Sequence, residues 1–340
     1  MEDITKQFKG LTRRKATFMI ILVLVLFGAA FVALTRGPAS VGFRGSLEAL
    51  LDGSGTAHAI IWKLRLPRIA MAVLAGAGLA LAGTVFQAIL RNPLASPYTL
   101  GIASSAGFGA VTAIIFGAGF CTEVHIAGSA FIFALISSFF ILGIGKLKGS
   151  TPETMILAGI AMMFLFSSLS SLLQYMGTME EVQEIVFWFF GSLSKVGWAE
   201  ISMAGAMILL PAPILLKWSW DFNLLAGGDD SAKALGVNVE RIRRCGIILA
   251  SLVTAGAICF TGVIGFVGLV SPHITRMVIG SDHRFLLPTS MLIGALLVLI
   301  ADTVGRTLWS PQIIPIGIVS SFIGVPFFLY LLMKRQRDYW

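Results

Sequence analysis

The sequence predicts an all-α fold, a polytopic membrane protein with ten transmembrane helices, and three observations lead there. Of the 340 residues 56% are hydrophobic and 12% charged, with a mean hydropathy of +0.89; an ordinary soluble domain is about 25% charged. The apolar residues come in long runs, such as Ile20 to Leu34 and Met291 to Ala301. The few charges fall almost entirely between those runs. A soluble fold of this length has too little interior to bury so many runs. Backbone polar groups in lipid must be paired within their own segment, so the runs are read as helices. A closed β-barrel would instead show short alternating segments. At about 20 residues per span the chain holds roughly ten spans and no large soluble domain, so residues 1–340 are read as one transmembrane domain.

The first span, 16–35, follows a basic tail, residues 1–15. Tail and span together have the outline of a signal peptide, but nine further apolar segments favour a retained span. The second, 62–88, carries Gly76, Gly78 and Gly83 among many alanines, small residues that let helices approach closely in lipid. This is either plain packing or a close crossing around a pathway that changes shape. The third to seventh spans are placed at 97–118, 124–145, 152–175, 188–216 and 241–262. The eighth, 264–278, is the weakest. Gly262, Gly265, Gly268 and Pro272 interrupt it, so a short or broken helix is expected, with the three glycines stacked on one face. The ninth and tenth are 286–306 and 312–333, followed by a tail at 334–340.

An even number of spans puts both termini on one side. With the amino terminus in the cytoplasm, 18 of the 25 Lys and Arg residues are cytoplasmic, including the clusters Arg13–Lys15, Arg241–Arg244 and Lys334–Arg337. The other 7 are Arg36, Arg44, Lys63, Arg65, Arg68, Lys195 and Arg306. The positive-inside bias therefore selects cytoplasmic termini. The net charge of +8 belongs to loops that orient a membrane protein, and nucleic acid is not a partner. Cys121, Cys245 and Cys259 match no metal or redox spacing and are read as packing residues.

A few short patterns carry more than packing. Arg91-Asn92-Pro93-Leu94-Ala95-Ser96-Pro97 joins the second and third spans, and its two prolines block helix continuation. Asn92 is suited to capping its own turn. The stretch is either a rigid turn or a turn whose tip constricts a pore. Residues 221–240 form the longest cytoplasmic loop, with a break at Gly227-Gly228 and a short helix from Ser231 to Leu235 ended by Gly236. Ala232, Leu235 and Val237 are apolar in this wet loop, which suits either a partner protein or the membrane surface. His273 has no neighbouring ligand pattern, so no metal site is expected. Asp302 and Arg306 stand four apart and are placed to pair on one helix face. There is no phosphate loop, HExxH or nucleophile elbow, so nothing suggests hydrolysis within the chain; it is read as not an enzyme and without a cofactor, with transport or signalling as the question.

Several segments together resemble the permease family of ATP-binding-cassette importers for iron–siderophore complexes, haem and cobalamin, the type II importer fold. They are LRLPR at Leu64–Arg68, Gln87 followed by RNPLASPYTLG at Arg91–Gly101, and ALGV at Ala234–Val237. GVIGFVGLVSPHITR at Gly262–Arg276, Asp282-His283-Arg284, Ala301-Asp302 with Arg306, and PIGIVSSFIGVPFFLYLL at Pro315–Leu332 complete the set. Ser96 departs from the pattern, since many relatives carry an acid there. The resemblance implies two permease subunits, identical or homologous, two separate ABC ATPase subunits, and an external substrate-binding protein, all at the cell inner membrane. It implies an ATPase-coupling site at Ala232, Leu235, Gly236, Val237 and Arg241. It places a cytoplasmic gate at Asn92, Leu94 and Thr151, and binding-protein docking at Arg65, Arg68 and Arg306. The expected cargo is an iron–siderophore-type chelate. Cobalamin, haem or molybdate on the same machinery is one alternative; an ion-coupled secondary carrier is the other, disfavoured by the scarcity of acids within the spans.

Overall fold

A computed structural model describes residues 2–37, 42–51, 55–117, 123–149 and 151–333. Cys121 and the tail at 334–340 lie outside them. Among the described residues the structure is helical, without strands. The helices are α1 (Glu2–Thr35), α2 (Phe43–Leu51), α3 (Gly55–Ala59), α4 (Leu66–Ile89), α5 (Ile102–Phe116), α6 (Glu123–Leu147), α7 (Pro152–Met176) and α8 (Met179–Phe190). They continue with α9 (Trp198–Leu209), α10 (Ala212–Lys217), α11 (Ser219–Ala226), α12 (Asp229–Ala234), α13 (Val239–Thr261), α14 (Val267–Ile279), α15 (His283–Thr307) and α16 (Ile316–Met333). One turn of π-helix, Ile60–Arg65, joins α3 to α4 without a break.

Seven helical stretches among the described residues are long and apolar enough to cross a membrane: Thr12–Thr35, Gly55–Ile89, Glu123–Leu147, Pro152–Met176, Trp198–Lys217, Val239–Thr261 and His283–Thr307. Three shorter apolar helices, Ile102–Phe116, Val267–Ile279 and Ile316–Leu331, fall on the remaining expected spans. The differences from expectation have local causes. The expected amino-terminal tail is helical and continuous with the first span, since α1 runs from Glu2. The third span begins at Ile102 and not at 97, because residues 90–101 form turns that end on Gly101 at φ +70°. The sixth does not begin at 188. Gly191, at φ +70°, ends α8, and a non-helical stretch separates it from α9. α8 itself was not expected. Its signal is the capping box in which Thr178 Oγ1 accepts from the Glu181 amide while Glu181 accepts from the Thr178 amide, both visible as Thr-x-x-Glu. The eighth is the short helix expected, yet Gly262 and Gly265 precede it and do not stack on its face.

α4 is the axis of the bundle. It packs against α15, α13 and α14 and is buried without interruption from Gly78 to Leu90. The hydrophobic effect gives little association energy between helices in lipid, so close backbone packing and interhelical hydrogen bonds carry more of it. Two glycines on α4 permit the close packing: a methyl group at Gly76 would overlap the carbonyl oxygen of Gly294 on α15, and one at Gly83 that of Gly268 on α14. Gly78 instead faces the side chains of Ile208 and Val253. α5, α6 and α7 form a second group, joined to the first through α13. α1 lies outside, mostly exposed, and touches chiefly α15.

Candidate functional site

The site is built around a cavity of about 950 Å³. Its wall includes Leu79 of α4, Phe189 and Phe190 of α8, Phe266 before α14, and Phe322 and Val325 of α16. Its polar side chains carry hydroxyl groups, Ser96, Tyr98, Thr99 and Ser321, and among the described residues no charged side chain or histidine lines it. Phe322 is 77% exposed and Tyr98 54%, so this chain alone does not close the wall.

One end of the cavity is the turn 90–101. Leu90 caps α4, and Arg91 takes a left-handed conformation at φ +46°. Asn92 Oδ1 accepts from the Leu94 amide at 2.8 Å, the local cap expected from sequence. Ser96 and Thr99 bond reciprocally, Ser96 N–H to Thr99 Oγ1 at 2.9 Å and Thr99 N–H to Ser96 Oγ at 3.2 Å. The short serine thus serves as a local cap for this turn. Leu94, held at the tip and 46% exposed, faces the cavity. Thr151, the third expected gate residue, is exposed and caps α7 by accepting from the Thr154 amide.

The segment 221–240, where coupling is expected, lies at the same end. α12 begins two residues earlier than expected, at Asp229, and ends before Gly236, whose φ of +87° turns the chain. The five expected residues divide into two groups. Ala232 is fully buried and Val237 nearly so; they seat the segment on the protein. Leu235, at 67% exposure, stands at the apex with Gly236 and Arg241, also exposed.

Polar contacts that sequence reasoning missed fasten this loop to the bundle. Asp229 lies 2.9 Å and 3.0 Å, through its two oxygens, from Arg243 Nη2 on α13, and 3.7 Å from Arg91 Nη2. Asn223 of α11 donates to Asp282 Oδ1 at 2.9 Å, and its own oxygen lies 2.8 Å from the backbone nitrogen and from Nδ1 of His283. Arg284 pairs with Asp282 at 2.6 Å while its guanidinium stacks 4.2 Å from the Trp220 ring. Burial pushes the Asp282 carboxyl up, but the bonds from Arg284 and Asn223 outweigh it and hold it at about 2. Deeper in, Arg276 Nη1 donates to Gln87 Oε1 at 2.6 Å and ties α14 to α4. His273 bonds its own helix, with Nδ1 2.8 Å from the Leu269 carbonyl oxygen.

The other end of α4 holds the arginines. Asp302, fully buried, is shared by Arg68 Nε at 2.7 Å and Arg306 Nε at 2.9 Å. The pairing of Asp302 with Arg306 is therefore as expected. The outward orientation of the arginines is not. Arg65 is 4% exposed and Arg306 3%. Arg65 donates to the Leu34 oxygen at 2.6 Å, and Arg306 to the oxygens of Arg36 at 3.1 Å and Ala33 at 3.2 Å. The last carbonyls of α1 have no intrahelical partners and carry the negative end of its dipole, so they attract these two guanidinium groups inward. Arg68 keeps a small exposed area and bonds Ser194 Oγ at 3.2 Å. A second, smaller cavity, about 330 Å³, opens beside it, with Glu123, Glu184, Lys195 and Glu200 on its wall.

Comparison with known proteins agrees with this geometry. Residues 20–334 match the model of the FecCD transport family. A candidate ABC transporter permease of Methanocaldococcus jannaschii is 45% identical over 98% of this chain and 99% of its own length. A cobalamin import permease of Halobacterium salinarum is 39% identical over 83% of this chain and 75% of its own. A molybdate import permease of Haemophilus influenzae is 37% identical over 95% and 96%. Among solved structures, a candidate metal-chelate type ABC transporter in an inward-facing conformation superposes with a TM-score of 0.84 at 36% identity, covering 94% of this chain and all of that one.

Proposed function

The chain belongs to the FecCD transport family, and from that premise we propose that it is the transmembrane permease subunit of an ATP-driven, binding-protein-dependent importer. It spans the inner membrane ten times with both termini in the cytoplasm, as one domain. It pairs with a second permease across the exposed wall of the large cavity. Two ABC ATPase subunits sit against residues 221–240, and a binding protein docks at the opposite end.

The observation that carries this reading is the build of the coupling segment. Ala232 and Val237 anchor it, while Leu235, Gly236 and Arg241 project from the protein. An exposed leucine at the apex of a pinned loop gains by entering an apolar groove on a partner. ATP binding then moves this segment, the permease pair rocks, and the turn bearing Asn92 and Leu94 opens or closes the path, with Thr151 at its edge. Of the three expected docking arginines, Arg68 keeps the most exposed side-chain area, 12%, to meet a carboxylate on the binding protein. Arg65 and Arg306 act behind it by fixing the end of α1 and the Asp302 carboxylate.

The cargo we propose is an iron–siderophore-type chelate. A cavity this large, without charged lining, suits a ligand whose metal is already enclosed, because it offers no group to compete for that metal. Cobalamin, haem and molybdate are the alternatives on the same machinery; specificity rests mainly with the binding protein.

The test is Leu235→Asp in the assembled complex. Leu235 is exposed in the subunit, so the variant inserts and dimerises normally. In the complex it buries an unpaired charge, and binding-protein-stimulated ATP hydrolysis falls at least about tenfold. Normal stimulation of a fully assembled complex would remove the coupling role from this loop.

A further inference from the structure

Asp229 occupies an unusual position. It is the first residue of α12, and the two arginines that reach it come from different parts of the chain. Arg243 lies near the start of α13 and is almost fully buried. Arg91 lies on the turn that carries Asn92 and Leu94. The backbone of Arg91 is left-handed, a conformation that disfavours residues with a Cβ, at the point where its side chain meets the coupling loop. Gly228, at φ +103°, immediately precedes Asp229, and a Cβ there would stand 3.6 Å from Arg91 Nη1. The guanidinium therefore lies along the backbone of the coupling loop as well as near its carboxylate. The two attachments of Asp229 differ in kind. The Arg243 contact is close, made with both carboxylate oxygens, and largely removed from water. The Arg91 contact is longer, at 3.7 Å, with 36% of the Arg91 side chain exposed. The first holds α12 to the bundle; the second is loose enough to shorten or break as α12 moves.

Resting on the reading of residues 221–240 as the coupling segment, we propose that Arg91 and Asp229 form the link by which movement of α12 is passed to the turn 90–101, making Arg91 a positioning residue for the tip that carries Leu94. The relay is direct. α12 and the tip are separated by one ion pair and three residues of turn, with no intervening helix. Arg243 is the fixed end, so displacement of α12 alters the Arg91 contact first. Charge is the working feature, and lysine at position 91 retains it.

The experiment uses the full complex of permease, ATPase subunits and binding protein in lipid vesicles. The native cysteines are replaced by alanine and Tyr98→Cys is introduced as a reporter, since Tyr98 lines the cavity and is exposed. The rate at which a charged maleimide labels this cysteine is measured with and without Mg-ATP, alongside ATP hydrolysis. In the parent, nucleotide changes the labelling rate by about fivefold or more. Arg91→Gln keeps ATP hydrolysis within about twofold of the parent but loses most of the nucleotide effect on labelling, and Arg91→Lys restores it. A purely structural role would lower assembly and hydrolysis together and leave the response of assembled complexes intact. A full nucleotide response in Arg91→Gln, or failure of Arg91→Lys to restore it, overturns the link. A parent complex that hydrolyses ATP without any labelling response overturns the link too. A parent that shows neither hydrolysis nor response brings down the ATP-driven reading itself, and the link with it.

Discussion

At the scale of single residues, the chain treats its few buried charges by pairing them across the bundle. Asp302 has no exposed side-chain area and accepts from both Arg68 and Arg306. Two cations share this one carboxylate, and the carbonyls at the end of α1 compensate Arg306 and Arg65. Removing one partner from a buried ionic group leaves the others uncompensated. Asp302→Asn, which keeps the shape, is therefore expected to destabilise the protein by about 3–5 kcal/mol, read as a lowered midpoint of thermal unfolding in detergent. A loss below about 1 kcal/mol would mean that the α1 carbonyls suffice alone. The Asp302–Arg306 pairing follows from their four-residue spacing. Arg68 as the third member does not, because it lies 234 residues from Asp302 in sequence.

At the scale of elements, the junction between α11 and α15 depends on one carboxylate outside the spans. Asp282 caps α15, accepts from Asn223 and pairs with Arg284. Its folded value, about 2, lies below the ordinary 3.8. A lowered carboxylate contributes stability that is fully present above the unfolded value and is lost as pH falls through the folded one. Thermal unfolding compared between parent and Asp282→Asn should show the parent more stable at about pH 5, with the difference shrinking as pH falls from about 4 toward 2. A difference that stays constant over that interval would show that ionisation of Asp282 contributes nothing. The sequence displays the Asp-His-Arg triplet plainly, but Asn223, which turns the cap into a tie between elements, is some sixty residues away. α8 is the opposite case. Its Thr178–Glu181 box is local and readable, and the apolar stretch beyond it was instead assigned to the following span.

At the scale of the whole molecule, the charge bias predicts an orientation that labelling can check. Single cysteines at Gly149, Gly228 and Asp338 should react only with reagents that reach the cytoplasm, and one at Gly53 only from outside. External labelling at Gly228 would reverse both the topology and the coupling assignment. The architecture makes this decisive, because α4 separates the two polar ends. Arg68 and Arg91 lie at its opposite ends, about 34 Å apart at 1.5 Å per residue. The Asp302 network stands at one end, while the segment 221–240, proposed to couple, and the Leu94 turn stand together at the other. Gly76 and Gly83 hold that axis against α15 and α14.

Reading along the chain establishes a helical membrane protein, the approximate positions of most apolar stretches, and the turn at 91–97 that interrupts them. These are local properties: hydropathy over one span and two prolines in one turn. The sequence also carried the ordered motifs of the transport family. Which of those residues face outward depends instead on the packing of elements distant in sequence. Arg65 and Arg306 turned inward because the end of α1, far away in sequence, offers free carbonyls. Ala232 and Leu235, three residues apart in one short loop, parted into anchor and apex because α12 packs on one side only. Asp229 became the meeting point of Arg91 and Arg243 for the same reason: spacing along the chain does not specify which helix ends the fold brings together.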